Sequence, residues 1–141
     1  MIEINNLTKT RIDQNFVKKI VSVVLKTEKK TKSNTLSIAL VGTERMRKLN
    51  KKYRNKNQTT DILSFCEFSN DFFVKGLEQI ENLGEIIICL REVKKNSQKI
   101  NITFEKEFTR VLIHGILHLL GYDHEKSKKQ AIIMQKKRII T

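Results

Sequence analysis

Phe104, Phe108, Val111, Leu112, Ile116, Leu119 and Leu120 set apolar side chains nearly all round one predicted helix, which opens at a Thr103 N-cap and runs to Leu120. A helix apolar on every side has no face to show water, so it must be the buried centre of a domain. A second segment limits what surrounds it. Gly84-Glu85-Ile86-Ile87-Ile88-Cys89-Leu90 is a strand without alternation, buried on both faces and therefore central in its sheet.

The rest of the chain supplies partners for these two elements. Residues 1–7 alternate around Ile2 and Ile4 as a first strand. A helix follows from Thr8 or Thr10 to about Lys29, with Ile12, Phe16, Ile20, Val23 and Val24 inward. After a polar break at 29–34, Thr35 to Val41 is a strand with Leu36, Ile38 and Leu40 on one side. Thr43 opens a helix to about Lys52 that turns Met46 and Leu49 inward. Tyr53 to Thr60 is a polar loop, Asp61 to Phe68 is β-like, and Asn70 to Leu83 is an irregular excursion. Arg91 to about Lys99 is a helix. Glu125 to Ile140 is a last one, inward at Ile132, Ile133, Ile139 and Ile140, with Lys126, Lys128, Lys129, Lys136, Lys137 and Arg138 outside. The expected architecture is a single α+β domain over residues 1–141: a mixed sheet of about four strands, helices packed on it, and a buried central helix.

The 141 residues suffice for a core without staples. No apolar run approaches the roughly 18 residues of a membrane span, and the first residues lack a secretory layout. Cys66 and Cys89 sit far apart in apolar stretches, as small buried hydrophobes rather than a disulfide. A cytoplasmic protein without a membrane partner is expected. The net charge of +13 suits a polyanion such as RNA and excludes a cationic substrate, although lysine richness beside abundant Asn and Ile also fits AT-rich coding. The lysine face of the last helix is open to the same two readings, solvated surface or RNA contact.

The central helix carries the chemistry. All three histidines lie in His114-Gly115-Ile116-Leu117-His118-Leu119-Leu120-Gly121-Tyr122-Asp123-His124. His114 and His118 share a helix face at i, i+4. Gly121 is placed for a left-handed cap that turns the chain, so His124 can return as a third nitrogen. Three imidazoles with a fourth position open are the ligands of a catalytic zinc, or of another divalent metal in its place. The spacing also fits the metzincin protease signature H-E-x-x-H-x-x-G-x-x-H, but Gly115 stands where that chemistry needs a glutamate base.

The window instead resembles the HGxLHLxGYDH motif of the YbeY family of bacterial rRNA-maturation endoribonucleases. Leu49-Asn50-Lys51-Lys52-Tyr53-Arg54 with Thr60-Asp61-Ile62-Leu63-Ser64-Phe65 is similar to its LNxxYR…TDVLSF segment, and Leu83-Gly84-Glu85-Ile86-Ile87-Ile88-Cys89 to its LGDIxI strand. Thr59 and Cys66 replace the usual prolines, and Lys136, Lys137 and Arg138 replace an acidic ending near Met134.

The resemblance implies a metal-dependent endoribonuclease specific for single strands, working in 16S rRNA 3′-end maturation and ribosome quality control, with rRNA and the small ribosomal subunit as partners. Its metal would be held by His114, His118 and His124. Arg54 matches the family's arginine and, with His114, would be catalytic; its guanidinium fork would bind a substrate phosphate, whereas position alone makes it a solvated loop residue. Ser64, with Asp61, would line the substrate groove. Asp123 would orient a ligand ring or simply form the turn. Glu107 matches a family acid and would support the site from behind its ligands, or merely pair with Arg110. Tyr122 reads as packing. Two other classes stay open on the residues alone: a non-catalytic ribosome-assembly factor stapled by its metal, and a peptidase with a displaced base.

Overall fold

The computed structural model describes residues 2–28, 33–66 and 80–122. Asp123, His124, the predicted helix Glu125–Ile140 and most of the Asn70–Leu83 segment lie outside the described residues.

The chain runs β1 (Ile2–Asn6), α1 (Gln14–Thr27), β2 (Ser33–Val41), α2 (Thr43–Arg54), β3 (Ile62–Cys66), β4 (Ile80–Cys89), α3 (Leu90–Lys99) and α4 (Phe104–Leu119). The strands form one mixed sheet in the order β1-β2-β4-β3. β1, β2 and β4 are parallel, and β3 closes one edge antiparallel to β4. Parallel neighbours need a crossover, and α1 supplies the one between β1 and β2. The unbroken apolar run is indeed central, and the expected α+β domain is the one observed.

Side chains alternate across the sheet and divide the core in two. Leu36, Ile38, Leu40, Ile62, Ile86 and Ile88 face α1, α3 and α4, where Phe108, Val111, Leu112, Ile116 and Leu119 of α4 are buried against them. Val41, Leu63, Ile87 and Cys89 face α2 and its Met46. Phe108 is fully buried, and truncating such a ring to Ala costs about 3–5 kcal/mol.

Three local expectations need correction. α1 begins at Gln14, not at Thr8 or Thr10. Asn6 Oδ1 accepts from the Thr8 amide and hydroxyl, and Asn6 Nδ2 donates to the Thr10 carbonyl, so polar side chains hold that backbone in a turn. Asp13 then caps the helix through the amides of Asn15 and Phe16. The inward face also rotates. Val17, Ile20, Val21 and Val24 are buried, whereas Val23, turned away from that arc, is 54% exposed. Finally, α2 continues through Tyr53 to Arg54. It stops where Asn55 adopts the left-handed conformation (φ 59°) and Asn50 Nδ2 donates to the Gln58 carbonyl, holding the following loop.

Candidate active site

Thr103 starts α4 as expected, its hydroxyl accepting from the Lys106 amide. Eleven residues on, the helix presents His114 and His118 with ring centroids 4.1 Å apart and planes tilted by 49°. His118 is buried and His114 half-buried. The helix ends as the glycine predicts. Gly121 has φ 98°, its amide donates to the His118 carbonyl, and the Tyr122 amide donates to the Leu117 carbonyl. This pair of bonds is a Schellman cap, which reverses the chain directly after the second histidine. Asp123 and His124 lie beyond it, outside the described residues. Among the described residues no group of three His, Cys, Asp or Glu is assembled.

Gly115, between the histidines, is where α4 meets the sheet. A Cβ there would stand 2.6 Å from Ile62 Cδ1, 3.3 Å from Ser64 Oγ and 3.4 Å from Ile86 Cδ1. Ile4, Ile38 and Ile86 form an apolar row across three strands, and its last position, on β3, is Ser64. That serine is fully buried, and among the described residues its Oγ has no hydrogen-bond partner. A buried hydroxyl without a partner costs about 1–3 kcal/mol, a cost the sequence does not predict. Two imidazoles on one helix face, with a buried hydroxyl under the turn between them, are a donor set that fits a divalent metal.

A family model described as Endoribonuclease YbeY matches residues 3–141. The chain belongs to the YbeY endoribonuclease family. It is 44% identical over 131 residues to the Endoribonuclease YbeY of Thermodesulfovibrio yellowstonii, covering 85% of this chain and 78% of that one. Its counterpart in Buchnera aphidicola is 37% identical over 131 residues, with 93% and 75% covered. The solution structure of a Thermotoga maritima protein superposes with a TM-score of 0.59 at 32% identity, covering 98% of this chain and 86% of that one.

YbeY membership sets the peptidase reading aside, and the packing of Gly115 supplies the physical reason. A glutamate at that position would point into Ile62 and Ser64 instead of toward a substrate. Membership also favours an enzyme, a hydrolase of RNA in a metal-dependent family, over a purely structural factor.

The other candidate residues fall in two places. Glu107 is fully buried, and its carboxylate accepts from Arg110 Nε (2.9 Å) and Nη2 (2.7 Å). The bond to Glu107 is the main influence holding the Arg110 guanidinium above its ordinary pKa, with Asp61 adding a weaker pull. Arg110 stands one helical turn before His114. Arg54 ends α2, which packs on the opposite face of the sheet from α4, and among the described residues it has no hydrogen bond or ion pair to α4. The edge strand β3 connects the two places, for Phe65 holds Tyr53 on the α2 face (ring centroids 5.1 Å, 72°) while Ser64 lies under α4. Reading the sequence as a polar loop at Tyr53 missed this aromatic contact; the alternation Leu63-Ser64-Phe65 was the available signal. Arg110 likewise escaped assignment, being visible only as a partner for Glu107. A cleft of about 1200 Å3 lies at the other end of α4, between Phe16, Phe104, Arg91 and Lys94, away from the histidines.

Proposed function

We propose that this chain is a zinc-dependent endoribonuclease that cuts single-stranded RNA in the cytoplasm, maturing the 3′ end of small-subunit rRNA in company with the ribosome. The observation that carries the chemistry is the His114–His118 pair on the buried helix, in a chain of the YbeY family. His114, His118 and His124 would hold the metal. Zinc bound by neutral imidazoles keeps its double positive charge and so favours an anionic phosphodiester.

The chain's own residues then have separable tasks. Arg54 donates its guanidinium fork to two phosphate oxygens and stabilises the charge that develops on them. The Ser64 hydroxyl, buried and without a partner among the described residues, is a donor held in reserve for a group bound beside the histidines. Glu107 acts at one remove, fixing Arg110 on the histidine face of α4. Asp123 would orient a ligand ring by accepting its second N–H.

The test separates binding of metal from binding of substrate. Arg54→Ala is expected to lower cleavage of a single-stranded RNA while zinc content by elemental analysis stays unchanged. Undiminished cleavage would remove Arg54 from the mechanism. Absence of zinc and of cleavage from the purified wild-type chain would remove the whole reading.

A further inference from the structure

α2 is far more basic than the chain it belongs to. Six of its 12 residues are Arg or Lys against one acid, Glu44, a net charge of +5 where the chain's +13 over 141 residues averages about +1 for a stretch of that length. The one acid is already engaged: Glu44 is ion-paired with Arg47, with a lesser pull from Lys48, and its pKa is lowered accordingly. Among the described residues Arg45, Lys51 and Lys52 have no ion-pair partner, and with Lys48 all four are exposed. The apolar residues Met46 and Leu49 are turned onto the sheet and take no part in this surface. At the C-terminal end of the helix Tyr53 is 45% exposed, braced edge-on against Phe65, with Lys52 Nζ 5.1 Å from its ring centroid.

We propose that the outer face of α2 is a docking surface for the backbone of single-stranded RNA, and that Tyr53 is the stacking platform for a base where the strand crosses the β3 edge toward α4. The inference rests on the endoribonuclease reading and adds to it where the uncut part of the substrate lies. The chemistry is that of proteins that bind single strands without sequence readout: a row of cations tracks phosphates, and a braced aromatic ring takes a base. RNA is favoured over an anionic membrane because a helix that lies in a bilayer surface offers it an apolar face, and the apolar face of α2 is spent on the sheet. The position is also suitable. β3 is the edge strand, with Tyr53 against one face through Phe65 and Gly115 against the other through Ser64, so a strand leaving α2 crosses a single strand's width to reach the histidine face.

The experiment compares wild type with the triple variant Lys48→Gln, Lys51→Gln, Lys52→Gln, and with a control that removes the same charge from α3, Lys94→Gln, Lys95→Gln, Lys99→Gln. Glutamine keeps helix propensity close to that of lysine, and a melting curve confirms the fold of each. Binding of a fluorescein-labelled, 2′-O-methylated single-stranded RNA is read by anisotropy across a salt series, with the RNA checked for integrity afterwards. Three lost phosphate contacts lower the slope of log K against log salt by about 2, so the affinity lost between 50 mM and 200 mM salt shrinks by about 20-fold. Tyr53→Ala is expected to weaken binding at least about fivefold at fixed salt. Equal slopes for the α2 variant and wild type, or equal losses for the α2 and α3 variants, overturn the proposal. So does α2-dependent binding of phosphatidylserine vesicles by a protein whose RNA affinity ignores these changes. Cleavage of the unmethylated RNA by wild type keeps the two readings apart: no cleavage sinks the endoribonuclease assignment, whereas cleavage with unaltered α2 slopes sinks the docking surface alone.

Discussion

Gly115 and Ile62 approach so closely that a Cβ on the glycine would stand 2.6 Å from the isoleucine Cδ1. The contact sets how near the histidine-bearing turn comes to the edge strand. Gly115→Ala gains about 1 kcal/mol in helix propensity and loses about 1–3 kcal/mol to overpacking, so its cost alone is a poor test. The coupling is a better one. Ile62→Val deletes the Cδ1, so Gly115→Ala should cost less in that background, with an interaction energy of about 0.5–3 kcal/mol from urea midpoints. Additive costs would mean that α4 and β3 do not touch there.

His118 is buried while His114 is half-buried, and this asymmetry predicts different consequences of removing each. His118→Ala deletes a proposed metal ligand and also opens a cavity against the sheet, so zinc content and metal-free stability should both fall. His114→Ala should abolish stoichiometric zinc with a smaller loss of metal-free stability. Elemental analysis together with chemical unfolding in chelator checks both. Full zinc retention by either variant would exclude that residue from the ligand set.

How much of this was legible beforehand depends on whether local pattern or tertiary contact decides. The Thr103 cap of α4 and its Gly121 turn are local, and the sequence reads them correctly, whereas the helix expected to be apolar nearly all round keeps an exposed side at Glu105, Lys106 and Arg110. The central place of β4 follows from a run with no polar side, Ile86-Ile87-Ile88. The start of α1 is displaced because the Asn6 and Thr8 side chains bond the backbone of Thr8 and Thr10, a competition that hydrophobic spacing does not register. In the site, the i, i+4 histidines needed only helix geometry. The Glu107–Arg110 pair follows from i, i+3 spacing on α4, but the burial of the Glu107 carboxylate and of the Ser64 hydroxyl exists only because the sheet and α4 enclose them, and no spacing rule reports that.

The Glu107–Arg110 pair keeps its cation throughout the neutral range. The raised guanidinium pKa means its stabilising contribution is fully present below the ordinary arginine range and is lost only as pH rises through the folded value, so at neutral pH the cation is constant. Arg110→Met exposes the other side of the pair. It leaves the fully buried Glu107 carboxylate without its cation, at a cost of roughly 1–3 kcal/mol near neutrality after allowing for the 64% exposure of the arginine side chain. Adding Glu107→Gln should recover most of it at neutral pH. A double variant no more stable than Arg110→Met alone would show that the carboxylate is not isolated by the substitution.

Ser64→Ala is expected to pull stability and function in opposite directions. The hydroxyl is fully buried with no hydrogen-bond partner among the described residues, so its removal relieves a desolvation cost of about 1–3 kcal/mol and leaves only a small void. In chelator the variant should therefore unfold at higher urea than wild type. If the hydroxyl is kept because a group bound beside His114 and His118 uses it, the same variant should cleave RNA more slowly even though its fold is sturdier. Each half can fail separately. A less stable metal-free variant would mean that the hydroxyl has a partner after all, and cleavage at the wild-type rate would confine Ser64 to packing.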